Sequence, residues 1–234
     1  MERREREARI AEIAALDQPV RGDLYALLVE RDDWITRDEA AATLEVPRSV
    51  AAFHLDKLAE VGLVDTRFER PPGRSGPGAG RPAKKYRRSE TEVAVSLPAR
   101  RYDLAGALLA DAVSEAATTG RPVDTALADA ARETGREIGA SIRAELPVPR
   151  SRAAVRSAAV SALERLGYEP HERGDDVVLA NCPFHALAER HRPLVCGLNL
   201  ALLAGVAEGL GLEGRVTPRL EPADGMCCVR LRAS

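Results

Sequence analysis

ITRDEAAATLEVPRSVAAFHLDKLAEVGLVDTRFER, residues 35–70, is the stretch whose reading decides the fold of the N-terminal part of the chain. Thr36 is followed three residues later by Glu39, the capping-box spacing, so a short helix is expected to start there. Ala40, Ala41 and Leu44 form its inner face. A tight turn through Glu45 and Val46 leads to Pro47, which suits the first turn of a helix. That next helix, PRSVAAFHLDKLAEVG, sets Val50, Leu55, Leu58 and Val61 inward and stops at Gly62. LVDTRFER then alternates as a strand.

The surrounding sequence completes the unit. Upstream, residues 3–16 and 19–31 read as two helices, the second with Leu24, Leu27 and Leu28 on one face. Downstream, the loop PPGRSGPGAGRP (71–82) separates the strand from AKKYRRS (83–89), which can return beside it. Helix, helix, tight turn, helix, strand, long basic loop, strand is the order of a winged helix-turn-helix.

Charge agrees with that order. Residues 67–88 hold eight basic side chains against one acid, a net +7 within a chain of net −2, so the remainder carries −9. A basic stripe on an otherwise acidic protein marks one surface for a polyanion. The helix after the turn is the expected reader of base edges, through Arg48, Ser49, Ala52 and Phe53, with His54 and Lys57 further along. Arg48 can fork onto a guanine, and the small Ala51 and Ala52 permit close approach. Arg74, Arg81, Lys84 and Lys85 would lay the wing along the phosphates or into a minor groove. For His54, packing against the core and contact with a phosphate stand as equal readings.

Beyond the wing, residues 91–97 read as a short strand, and 98–118 and 122–145 as two Ala-rich helices. Another helix covers about 151–166. YEPHERGDDVVLANC reads as a strand pair turning at Arg173–Gly174–Asp175. CPFHALAERHRPLVCGLNLALLAGVAEGLG reads as long and helical, with Pro193 either kinking it or starting a second segment, and VTPRLEPADGMCCVRL as two strands about a turn at Ala223–Gly225. The expected fold class is mostly α with small β (α+β). It comprises a winged helix-turn-helix at 1–97, a helical linker or dimerisation segment at 98–147, and an α+β sensor domain at 148–234. With 45% hydrophobic residues and only 3% aromatic, the cores must be built from Leu, Val and Ala.

All four cysteines fall late, at Cys182, Cys196, Cys227 and Cys228, and His185 and His191 lie within the first part of that run. Thiolate and imidazole suit zinc, and thiolates suit iron–sulfur clusters. Cys182 would leave a strand and enter a helix, whose N-terminus favours a thiolate. Cys227 and Cys228 would sit on the closing strand and face opposite ways, which favours Cys227 as a ligand and leaves Cys228 as an additional candidate. Inert, buried cysteines are the alternative reading of the same residues.

SVAAFHLDKLAEVGLVDTRFER followed by GPGAGRPAKKY resembles the ArsR-type winged-helix regulators, and most of all the branch of SufR-type iron–sulfur repressors. The late run beginning NCPFHALAERH and ending GMCC is similar to theirs as well, although its spacings depart from some versions. The resemblance implies a homodimer on an inverted-repeat operator in double-stranded DNA, with reading helices about 34 Å apart. It also implies an iron–sulfur cluster of the 4Fe-4S type held by late cysteines, for which Cys182, Cys196 and Cys227 are the favoured ligands and Cys228 a possible one; the fourth ligand stays open with His185 as the candidate, and zinc is the alternative. Repression by the loaded form follows from the resemblance alone.

Two alternatives share the DNA-binding part. One is a regulator with a small organic effector in a pocket lined by Leu198, Leu200, Leu202 and Leu203. The other is a metal-free thiol switch. No nucleophile elbow, phosphate-binding glycine loop or HExxH occurs, so no enzyme is expected. The longest apolar run, Pro193 to Ala207, is broken by Asn199 and two glycines and falls short of the roughly 20 residues that span a bilayer. The first sixteen residues are charged, with no apolar signal core. A cytoplasmic protein without a membrane segment is therefore expected.

Overall fold

The computed structural model describes residues 3–70, 82–145, 149 and 151–233. The chain divides into two compact units, one ending at Val95 and the other starting at Ser96.

The first unit opens with α1 (Arg3–Ala14), a single 3-10 turn (Ala15–Asp17) and α2 (Pro19–Arg31). Gln18 caps α2 by accepting from the Arg21 N–H, and Pro19 occupies the first turn, where its missing N–H costs nothing. A two-residue strand, β1 (Ile35–Thr36), precedes α3 (Arg37–Thr43). The capping box forms as its spacing requires. The Glu39 N–H donates to Thr36 Oγ1 at 3.2 Å and the Thr36 N–H donates to Glu39 Oε2 at 2.7 Å. After the turn comes α4 (Arg48–Glu60), then β2 (Val64–Glu69) and β3 (Ala83–Arg88). The three strands form an antiparallel sheet in the order β1-β3-β2. Leu24, Leu28, Leu55, Leu58 and Tyr86 fill the core beneath it. In α4 the wholly buried positions are Ala51, Leu55 and Leu58, while Val50 and Val61 reach only half-burial. The short strand expected at residues 91–97 does not form, and the sheet keeps its three strands.

The second unit contains α5 (Tyr102–Thr119), α6 (Val123–Glu145), α7 (Arg152–Arg165), β4 (Pro170–Arg173), β5 (Asp176–Leu179), α8 (His185–Arg190), α9 (Arg192–Gly209), β6 (Val216–Leu220) and β7 (Val229–Ala233). Its antiparallel sheet runs β4-β5-β7-β6. The Ala-rich helices do not stand apart as a segment of their own. Ala105, Leu108, Leu127 and Ala131 share one core with Leu163, Leu179, Leu202 and Val229.

Glycines explain how closely α6 and α9 pack. Gly135 and Gly139 on α6 meet Gly205 and Gly209 on α9. A Cβ on Gly135 would lie 3.1 Å from Gly205 Cα and nearer still to the Leu202 carbonyl oxygen, so the two backbones touch directly. Arg132 and Arg136 both pair with Glu208 along the rim of this contact, at 2.7 and 2.8 Å. Of the two outcomes expected at Pro193, the second occurs: α8 ends at His191 and a new helix, α9, begins with Pro193 in its first turn. Among the described residues, no helix is long and apolar enough to cross a membrane.

Candidate functional site

The N-terminal part of α4 presents its polar side outward. Arg48, Ser49 and Phe53 are exposed, and Phe53 keeps 58% of its surface in solvent despite being the largest apolar side chain on the helix. Ala52 is half-buried beside them. Several of the expected DNA contacts carry an internal partner. Arg48 pairs with Asp38 of α3, and Lys57 with Glu60 at 2.6 Å. Lys85 reaches Glu69 across the hairpin at 3.1 Å. Lys84 turns toward α4, where Asp56 accepts from its Nζ at 2.6 Å and from the Tyr86 hydroxyl at 2.8 Å. Burial works against a charged Asp56, but those two hydrogen bonds outweigh it and hold its carboxyl below the usual value. His54 is half-buried with Nδ1 unpartnered among the protein atoms. Burial, and then the charge of Arg21, press it toward the neutral form. Arg74 and Arg81 lie outside the described residues.

One feature of this face was not legible in the sequence. Trp34 stacks against two guanidinium groups, with Arg67 at 4.4 Å and Arg87 at 5.0 Å from its ring. Arg67 stands opposite Lys85, and Arg87 opposite Asp65, so the stack belongs to the sheet face away from Tyr86. Lone Trp34 and scattered arginines gave no periodic signal for it.

The second unit brings all four cysteines together from two loops and a helix. Cys182 interacts with Cys227, Cys227 with Cys228, and Cys228 with Cys196. Cys182, Cys196 and Cys227 are buried, and Cys228 is half-exposed. The expectation for the last pair is corrected. Cys227 and Cys228 do not lie on the closing strand, because β7 begins only at Val229. They follow a turn closed by the Met226 N–H donating to the Ala223 carbonyl, but the expected alternation holds: Cys227 is buried like Val229 and Leu231, and Cys228 is half-exposed like Met226 and Arg230. Cys228 nevertheless reaches Cys227 and Cys196, so both sulfurs join one cluster.

At Cys182 the surroundings oppose the thiolate that a helix N-terminus favours. Its interaction with Cys227 and its burial raise its pKa above the ordinary thiol value. Helix α8 has six residues and little dipole to set against that. Contact with Cys182 lowers the pKa of Cys227, but contact with Cys228 and burial win, and it is pushed up to about 11. Cys196 is raised chiefly by burial. Sulfurs held this way ionise when a cation offsets the cost.

A cavity of about 470 Å³ opens onto the cluster, lined by Cys182, Cys196, Cys228, His185, Arg100 and Arg192 among others. His185 stands on its wall and pairs with Glu189 at 3.3 Å. Arg100 donates to Asn181 Oδ1 and to the Ala99 carbonyl, and Asn181 Nδ2 donates to the carbonyls of Ala99 and Gly167, so this wall is cross-linked. Leu198, Leu202 and Leu203 fill the core and do not line the cavity. Among the described residues, no group of three or more His, Cys, Asp or Glu side chains is arranged to enclose a single ion. The donor set is four sulfurs linked in a row, Cys182 to Cys227 to Cys228 to Cys196, a chemistry that suits soft metals.

A buried polar pair lies behind the cluster. Asn199, on α9, donates from Nδ2 to Cys227 Sγ at 3.2 Å and accepts from the Tyr168 hydroxyl at Oδ1. Burial, and then the neighbouring cysteines, hold the Tyr168 phenol well above the ordinary tyrosine value, so it stays a donor. In the sequence, Asn199 showed only as a polar interruption in an apolar run.

Compared with known proteins, the chain matches no curated protein and no solved structure. Residues 16–67, which run from the end of the 3-10 turn through α2, α3, α4 and most of β2, match the family described as a helix-turn-helix domain.

Proposed function

We propose that this protein is a DNA-binding transcriptional regulator, acting as a homodimer on an inverted-repeat operator, whose affinity is set by an iron–sulfur cluster or zinc at Cys182, Cys196, Cys227 and Cys228. The observation that carries the sensing half is the convergence of four thiols separated by as much as 46 positions in the chain, in a protein with no other cysteines. The helix-turn-helix match, the exposed start of α4 and the cationic hairpin support the DNA-binding half.

In this reading Arg48 and Ser49 meet base edges or phosphates, and exposed Phe53 meets a thymine methyl group. Lys85 and the stacked Arg67 and Arg87 supply positive charge along the hairpin. The four cysteines tie the 182 loop, α9 and the 227–228 turn into one body, which stiffens the second unit. When bound, a cluster supplies sensitivity to oxidants, and zinc supplies a structural clamp. Contact between protomers is assigned to α5, whose Gly106, Ala110 and Val113 form an exposed small and apolar face.

Anaerobic purification with metal analysis tests the site, and salt-dependent binding to duplex DNA tests the reader. A brown protein, or one carrying stoichiometric zinc, is expected. R48A and K85A are expected each to flatten the salt dependence by about one counterion. A colourless, metal-free protein overturns the sensing half, and unchanged salt slopes overturn the role given to the hairpin.

A further inference from the structure

Asn199 is 1% exposed, on a helix face otherwise built from Leu198, Leu202 and Leu203. An amide at such a position is costly unless both its ends are satisfied. Its Oδ1 accepts from the Tyr168 hydroxyl, itself on a residue only 3% exposed, and its Nδ2 is aimed at Cys227 Sγ at 3.2 Å. A neutral thiol is a weak acceptor. Sulfur carrying negative charge through ligation is a strong one, since charge-assisted hydrogen bonds are roughly twice as strong as neutral ones. The arrangement therefore suits a ligated sulfur better than a free thiol. The backbone of Cys227 is held as well, its N–H donating to the Leu179 carbonyl at 2.8 Å, and its sulfur lies behind Cys228, which lines the open cavity.

We propose that Asn199, oriented by Tyr168, is a positioning residue for Cys227, donating an N–H to its sulfur when that sulfur ligates a soft metal ion or an iron–sulfur cluster. The proposal rests on reading the four thiols as ligands. Tyr168 fixes which way the amide points, since its hydroxyl needs an acceptor and so turns Oδ1 toward itself and Nδ2 toward the cysteine. Outer hydrogen bonds of this kind orient a ligand and stabilise charge on it. They also raise the potential of a cluster by favouring its more negative, reduced state.

The test uses the full-length, reduced protein under anaerobic conditions, titrated with Cd(II) and followed by the sulfur-to-cadmium charge-transfer band. N199L is expected to bind Cd(II) about 10- to 100-fold more weakly than the unaltered protein, and Y168F to weaken binding in the same direction by less. The Y168F/N199L double variant removes both partners of the buried bond, so its unloaded form is expected to melt close to the unaltered protein while its Cd(II) affinity stays low. A residue serving packing alone would not separate those two readouts. Where N199L fails to fold, Y168F and the double variant carry the comparison. Cd(II) bound equally tightly by all of them overturns the role of Asn199 and leaves the thiol site standing. No Cd(II) bound by the unaltered protein overturns both, because Asn199 then has no ligated sulfur to serve.

Discussion

Asp56 illustrates how one carboxylate serves two ends at the residue scale. It sits on the helix expected to read DNA, yet it holds Lys84 at 2.6 Å and the hydroxyl of Tyr86, which is 1% exposed. D56A leaves that hydroxyl buried without its acceptor, and a loss of about 1–3 kcal/mol in denaturant unfolding is expected. The same change removes a negative charge and releases Lys84, so binding to duplex DNA should strengthen at low salt and its salt slope steepen by about one. Stability and affinity are thus expected to move in opposite directions. Glu39 gives a pH prediction. Hydrogen bonds from the Thr36 backbone N–H and hydroxyl lower its pKa from 4.5. Its contribution is therefore present above that value and lost as pH falls below it. E39Q should flatten the acid limb of unfolding of the 3–95 unit, read by circular dichroism against pH.

The α6–α9 contact makes the strongest claim at the scale of elements. Two glycines one turn apart on each helix let the backbones meet, and a Cβ at Gly205 would run into the Arg132 carbonyl group and lie 3.0 Å from the Arg136 N. G205A adds one methyl group where backbone, which cannot swing aside, already stands. A destabilisation on the order of 3 kcal/mol is expected in denaturant unfolding. G197A, elsewhere on α9 with nothing within 4 Å of its Cβ, should be neutral or slightly stabilising in the same assay. The glycines were visible in the sequence, but nothing there paired residues 135 and 139 with 205 and 209. Only helices from distant parts of the chain, once packed, show which small residues answer each other. The closing strand expected to carry Cys227 and Cys228 starts later for a related reason. The turn at 223–226 delays β7 to Val229, and where pairing begins is settled by the partner strand, not by the residues themselves.

For the whole molecule, two hydrophobic cores in two units predict two unfolding transitions under calorimetry. Loading of metal is expected to raise the transition of the 96–233 unit, which holds every cysteine, by far more than the other. A single transition, or equal shifts in both, would count against that division. Much of the first unit was legible because its signals are local: a capping box within four residues, a proline in a first turn, a glycine at a helix end, a run of positive charge. These depend on backbone hydrogen bonds and charges between neighbours, and the sequence alone determines them. The tertiary structure alone decided that Lys84 answers to Asp56, that Trp34 lies between two arginines, that Cys228 joins Cys227 in one cluster, and that Asn199 reaches behind it. Each of these joins residues far apart in the chain, and such contacts form only when burial of the apolar core has fixed where distant segments meet.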